Sequence, residues 1–226
     1  MTVCVFDVNE TLLDLAALDP VFERIFGRPG RRGRWFGHLQ ELFLTATVIG
    51  EHRPFGDHAM AALALLAEIE GVGLGDEGRA AVRDGMASLP PHPDVRPALE
   101  RLRDGGVRLA ALTQSAQPVL DAQLRAAGLA GLLDPALSAD DVGRLKPARE
   151  AYAYAAQRLG VGLGDLTLVA AHAWDIAGAR AAGARTAFVA RPGKALDPLA
   201  PPPDLVVADL GELADELLAR PDHDIC

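Results

Sequence analysis

The sequence predicts an α/β protein, a doubly wound parallel sheet with a helical segment inserted after its first strand. Three observations carry that expectation. A short apolar run, Val3-Cys4-Val5-Phe6, ends in Asp7 and suits a central parallel strand buried on both faces. From residue 91 onward, strand and helix patterns alternate strictly. Between the two lie about seventy-five residues whose apolar positions recur only at helical spacing.

Taken in order, the first strand gives way to a polar turn that runs to Asp14. Leu18, Val21, Phe22, Ile25 and Phe26 mark a helix that Gly27-Arg28-Pro29-Gly30 stops. Trp35, Leu39, Leu42, Phe43 and Ala46 mark a second helix. Residues 59–69 and 77–89 give two more, separated by Gly71, Gly73 and Gly75. Pro90-Pro91-His92-Pro93 returns the chain. Helices are then expected at 95–103, 118–127, 149–159, 175–182 and 210–218, with strands at 108–112, 166–171, 186–190 and 205–207. The expected organisation is a core of residues 1–14 and 91–226 with a helical cap of residues 15–90.

The 226 residues are 50% apolar and 23% charged, an ordinary globular balance. A net charge of −9 argues against nucleic acid and against an anionic membrane surface as partners. A small anionic substrate stays compatible, because a few local donors outweigh a distant net charge. The two cysteines, Cys4 in the first strand and Cys226 at the end, do not suggest a disulfide framework and fit a reducing compartment. Neither a signal-peptide pattern nor an apolar run of about 20 residues is found, so a cytoplasmic location away from membranes is expected.

Polar groups gather at the predicted strand ends. After 108–112 come Thr113, Gln114 and Ser115; after 166–171 come His172, Trp174 and Asp175. Lys146 precedes Pro147 and so sits on an extended or turn segment. In a parallel sheet these ends open on one edge, where open α/β sheets place ligands. Asp7, Thr113, Lys146 and Asp175 therefore converge, and Asp7 becomes a candidate nucleophile. Taken alone, a strand-end aspartate is more often a helix N-cap. The set of four strand-edge groups is what argues otherwise.

In order along the chain, Phe6-Asp7-x-x-x-Thr11-Leu12, Leu112-Thr113, Lys146-Pro147 and Ala173-Trp174-Asp175 with Gly178-Ala179 resemble the haloacid dehalogenase superfamily. The resemblance is closest to its type II 2-haloacid dehalogenase branch, which Tyr152 and the cap residue Phe55 also match. It covers essentially the whole chain and implies a Rossmann-like core with a cap. It further implies hydrolytic dehalogenation of small 2-haloalkanoic acids without cofactor or metal, and it is compatible with a homodimer. Asp7 would attack the α-carbon, displace halide and form an ester on its own side chain, which water then hydrolyses. Lys146 would keep Asp7 ionised. Thr11 and Thr113 would orient it or the substrate carboxylate. Asp175 would position the hydrolytic water as general base.

Several positions depart from that pattern. Phosphatases of the superfamily carry a second aspartate two residues after the nucleophile; this chain has Asn9, which cannot protonate a leaving alkoxide. Type II dehalogenases have an aromatic residue at Asn9 and a glycine at Glu10, and serine and asparagine at Ala170 and His172. Their halide-capturing cap arginine falls on Phe36, with Arg31, Arg32 and Arg34 just upstream. Gln114, where the family has asparagine, offers an amide donor to halide. His172 offers a donor to halide or substrate carboxylate, or a relay for the water's proton. Trp174 and Tyr152 are candidates for the pocket wall. Two other readings stay open: a Mg²⁺-dependent phosphatase with a reduced acid set, and a non-catalytic relative that binds a ligand in the cap cleft.

Overall fold

Residues 3–220 are described by a computed structural model. Among them are six strands: β1 (Val3–Phe6), β2 (Arg108–Thr113), β3 (Ala136–Ser138), β4 (Leu166–Ala170), β5 (Arg185–Val189) and β6 (Leu205–Val207). All pair in parallel in the order β3-β2-β1-β4-β5-β6. This is the doubly wound order that places a ligand crevice beside the central strand. Strand β1 is buried throughout, because β2 and β4 flank it and helices cover both faces. Its side chains alternate: Cys4 and Phe6 join one core layer, Val3 and Val5 the other. Burial pushes the Cys4 thiol up to about 12, so Cys4 is an inert core residue. Cys226 lies outside the described residues.

The insert after β1 holds α1 (Asp19–Phe26), α2 (Arg31–Ile49), α3 (Phe55–Glu70) and α4 (Asp76–Ala87). Trp35 is fully buried, packs with its ring tilted and 5.1 Å from that of Phe22, and donates its indole N–H to Ala59 O at 2.9 Å. That one side chain ties α1, α2 and α3 together. The entering and leaving strands of the insert are stitched to each other. Asp14 N donates to Pro90 O, His92 N donates to Leu12 O, and Leu13 bridges Pro91.

The remaining helices are α5 (Val95–Asp104), α6 (Gln117–Ala126), α7 (Arg149–Leu159), α8 (Ala173–Ala182) and α9 (Leu210–Leu218). Helices α5 and α9 pack on one face of the sheet, α7 and α8 on the other. Helix α7, β6 and α9 coincide with their expected spans; most other ends shift by one to four residues. Strand β3 was not expected. Its three residues are too few to show a period, and only its pairing with β2 reveals it.

Candidate active site

Asp7 follows β1 directly, and its backbone N–H still bonds to Val169 O at 3.0 Å, so the strand register fixes where the carboxylate points. One oxygen, Oδ1, accepts from Lys146 Nζ at 2.8 Å. The other, Oδ2, accepts from the Thr11 hydroxyl at 2.7 Å. Thr11 Oγ1 in turn accepts from the Ala171 N–H at 3.0 Å, which locks its hydroxyl toward Asp7.

Lys146 has no exposed surface. Its three ammonium hydrogens are matched by three acceptors: Asp7 Oδ1, Asp175 Oδ2 at 2.6 Å and Leu112 O at 3.1 Å. Tyr152 donates to Asp175 Oδ1 at 2.6 Å. Asp175 thus accepts at both oxygens and, like Lys146 and Tyr152, stands behind Asp7 rather than on the cavity wall. Burial is the largest influence on Asp7 and would raise its carboxyl. The Lys146 charge and the contact with His172 outweigh burial and hold it well below the usual carboxylate range. For Lys146, burial pulls downward, and the charges of Asp175 and Asp7 overcome it. Asp175 is raised, mainly by burial.

A small cavity of about 20 Å³ opens in front of Asp7. Asp7, Asn9, Phe36, Phe55, Thr113, Gln114, His172 and Trp174 line it, so every pocket residue expected from the sequence except Tyr152 meets there. The space is about that of one water molecule. Asn9 is pinned: its amide donates to Ser115 Oγ at 3.3 Å, and its oxygen accepts from Gln123 Nε2 at 3.0 Å. Thr113 Oγ1 accepts from the Ser115 N–H at 3.2 Å, which curls the chain after β2 around the cavity. The Trp174 indole N–H and Gln114 Oε1 are buried without a partner.

His172 lies between the rings of Phe36, at 5.6 Å, and Trp174, at 5.2 Å, both nearly parallel to it. Phe36 thus fills the cap position with a ring that stacks instead of a cation that pairs. None of the three upstream arginines lines the cavity: Arg31 and Arg34 pair with Glu70, and Arg32 bonds to Asp19 at 2.7 Å. Among the cavity-lining side chains, His172 is the one that can carry a positive charge. Its Nε2 is 2.9 Å from Glu10 Oε2, and its Nδ1 is 3.3 Å from Asp7 Oδ2, close enough for an ion pair but without a hydrogen bond. Burial would discharge the ring; the contacts with Asp7 and Glu10 outweigh it and raise His172 above its ordinary value.

Sequence reasoning missed Glu10, Lys194 and Gln123. Glu10 has φ +63°, a left-handed conformation that favours glycine, and is nevertheless buried. Its carboxylate pairs with Lys194 as well as His172. A charged residue in the tight turn after the nucleophile was a legible signal. Lys194 lies 184 positions further on and offered none. Gln123, fully buried on α6, bonds to Asn9 and to Met86 O at 2.8 Å, so it joins the turn after β1 to helix α4. The described residues contain no cluster of three or more side chains suited to a metal ion.

Residues 1–183 match the haloacid dehalogenase-like hydrolase family. (S)-2-haloacid dehalogenase 4A of Burkholderia cepacia is 31% identical over 196 residues, 84% of this chain and 83% of that one. (S)-2-haloacid dehalogenase 2 of Pseudomonas sp. (strain CBS-3) is 29% identical over 215 residues, 94% of each. The solved structure of L-2-haloacid dehalogenase from Xanthobacter autotrophicus, with chloropropionic acid covalently bound, superposes with a TM-score of 0.86 at 25% identity. That superposition covers 96% of this chain and 98% of the other.

Proposed function

The chain belongs to the haloacid dehalogenase-like hydrolase family, and from that premise we propose that it hydrolyses small 2-haloalkanoic acids to 2-hydroxy acids and halide through an ester on Asp7. The observation that carries this reading is a carboxylate held ionised beside a small cavity, with an amide in place of an acid next to it. Asp7 attacks the α-carbon, the carbon–halogen bond breaks and the halide leaves with its electron pair. Halide departure needs no proton, so Asn9 is no handicap. Lys146 and Thr11 keep Asp7 charged and aimed, while Asp175 and Tyr152 hold Lys146 in place. Thr113, Gln114, Asn9 and the unpaired Trp174 N–H offer donors to the substrate carboxylate and the halide. Phe36 and Phe55 supply apolar wall to the cavity.

Asp175 was expected as the base for ester hydrolysis. We do not assign it that role, because both of its oxygens are engaged by donors at 2.6 Å and neither faces the cavity. The reaction needs no cofactor, and the side chains that contact Asp7 are an ammonium, a hydroxyl and an imidazole rather than the further carboxylates that would help hold Mg²⁺. The small cavity favours compact substrates such as haloacetates and 2-halopropionates. We also assign the chain to the cytoplasm, and Val48 and Ile49, exposed on α2, to the interface of a homodimer.

The test is halide release from 2-chloro, 2-bromo and 2-fluoro acids by wild type and Asp7→Asn. Wild-type turnover should survive EDTA, and Asp7→Asn should lose at least about 10³-fold. A wild type that releases no halide from any of these acids refutes the reading.

A further inference from the structure

Two residues after Asp7, the main chain around Asn9 is tied down. Glu10 N donates to Leu13 O at 2.8 Å, and Leu12 N and Leu13 N both donate to Val8 O at 2.9 Å. The freedom left to Asn9 is that of its side chain, which lines the cavity. An asparagine amide presents an acceptor on one side and two hydrogens on the other, so its effect on a substrate depends on how it is turned. A 2-haloalkanoic acid carries negative charge on its carboxylate and gains it on the departing halogen. An N–H helps such a group, and a carbonyl oxygen repels it.

What turns the Asn9 amide can be traced to a helix of the insert. Met86 lies in the last turn of α4, where carbonyls run out of helical partners. Four residues further on stands Pro90, which has no N–H to give. Gln123 of α6 provides the missing donor, its Nε2 bonding to Met86 O at 2.8 Å. A main-chain oxygen can only accept, so this contact fixes which end of the Gln123 amide faces it. The second Nε2 hydrogen reaches Asn9 at 3.0 Å, where it can pair only with Oδ1. The Asn9 Nδ2 group is thereby turned the other way. One of its hydrogens goes to Ser115 Oγ at 3.3 Å, and the other has no protein partner among the described residues. Gln123 is fully buried, and its own Oε1 is left without a partner. An orphaned amide oxygen is unfavourable. The two donor bonds are what this position gains from a glutamine.

We infer that Gln123 is a positioning residue for dehalogenation, turning the Asn9 amide so that a free N–H meets the negative group of the substrate. The inference rests on the function proposed above. Gln123 does not line the cavity and acts through Asn9. Met86 belongs to the insert and Gln123 to a helix of the sheet layer, so Asn9 is aimed only while the two are seated together.

The test is a double-mutant cycle on kcat and KM with Gln123→Met, Asn9→Ala and the pair, using 2-chloro and 2-bromo acids. Methionine keeps the length of glutamine and removes both donors. Gln123→Met should lower kcat/KM about 10- to 100-fold, the worth of a hydrogen bond to a charged group. In the Asn9→Ala background the same substitution should change it by less than about threefold, because the residue it acts through is gone. A merely structural Gln123 would cost the same in both backgrounds. A loss confined to kcat, and larger for the chloro than for the bromo acid, places the N–H on the departing halide, because the smaller ion concentrates its charge. An equal loss for both acids, with weaker inhibition by acetate, places it on the carboxylate. Where Gln123→Met does not fold, side-chain NMR of the isotope-labelled wild type decides. Both Gln123 N–H signals should exchange slowly with solvent, and one Asn9 N–H signal should shift on adding sodium acetate or sodium chloride. These signals need no turnover, so they are read even if the wild type releases no halide and the dehalogenation reading falls. Equal losses in both backgrounds, Gln123 signals that exchange freely, or Asn9 signals that neither anion moves would overturn the assignment of Gln123.

Discussion

Replacing Lys146 with methionine tests the charge balance at the centre of the site. The ammonium lies 2.8 Å from Asp7 and 2.6 Å from Asp175, with no exposed surface. Methionine nearly preserves its length and removes its charge and all three hydrogen bonds. Breaking one buried pair by deleting a partner costs about 3–5 kcal/mol, because the remaining charge stays buried. His172 still faces Asp7, so the larger cost falls on Asp175. For a chain of this size the loss lowers Tm by about 6–20 °C. The sign with pH is fixed. In the variant the two carboxylates lose their common cation, so both folded values rise, and Asp175, already raised by burial, moves further above the unfolded value of about 3.9. Groups raised in this way bind protons more tightly when folded, and the variant loses stability as pH rises from about 4. In the wild type Asp7 is depressed, so its contribution is present above about 4 and is lost as pH falls. The gap between the proteins, read by urea unfolding, should be full at pH 7, narrow as pH falls toward about 4 and close further below it as the wild-type Asp7 contribution is lost. A gap that is absent at pH 7, or that widens toward acid, would refute the reasoning.

Gly178 on α8 faces the segment that carries Lys146. A Cβ there would come within 2.4 Å of Pro147 Cβ, 2.7 Å of Tyr152 Oη and 2.9 Å of Pro147 O. Gly178→Ala should therefore cost about 1–3 kcal/mol in unfolding and lower kcat by displacing Lys146; unchanged stability and kcat would show that the contact yields freely. Phe55 separates the cavity from an apolar groove of about 160 Å³ that Pro54, Met60, Met86 and Val119 help to line. Phe55→Ala should join the two, so that kcat/KM for straight-chain 2-chloro acids relative to chloroacetate gains about fourfold per added methylene, the worth of about 0.8 kcal/mol each. An unchanged ratio would mean that the groove does not receive substrate.

Part of this site is legible in the sequence. A buried strand ending in aspartate, followed by strict alternation, is enough to bring Asp7, Thr113 and the turn before α8 to one edge, because parallel strands all end on the same side. Asn9 could be judged from chemistry alone, since an amide is not an acid. Asn9, Thr113, Gln114, His172 and Trp174 meet in one cavity for the same reason, Phe36 and Phe55 reach it from α2 and α3, and Tyr152 stands behind Asp175. Other features had no local pattern. Strand β3 is three residues long and becomes a strand only by pairing with β2.

The sequence by itself determined the fold class, the candidate nucleophile and the lysine, because each is written in a local pattern or in the order of strand ends. The tertiary structure decided which groups face the substrate. Lys146 and Asp175 point at each other behind Asp7, whereas His172, held by Glu10, points at it from the cavity. Orientation at that level depends on which hydrogen-bond partners packing brings within about 3 Å, and partners 162 and 184 positions apart leave no spacing to read.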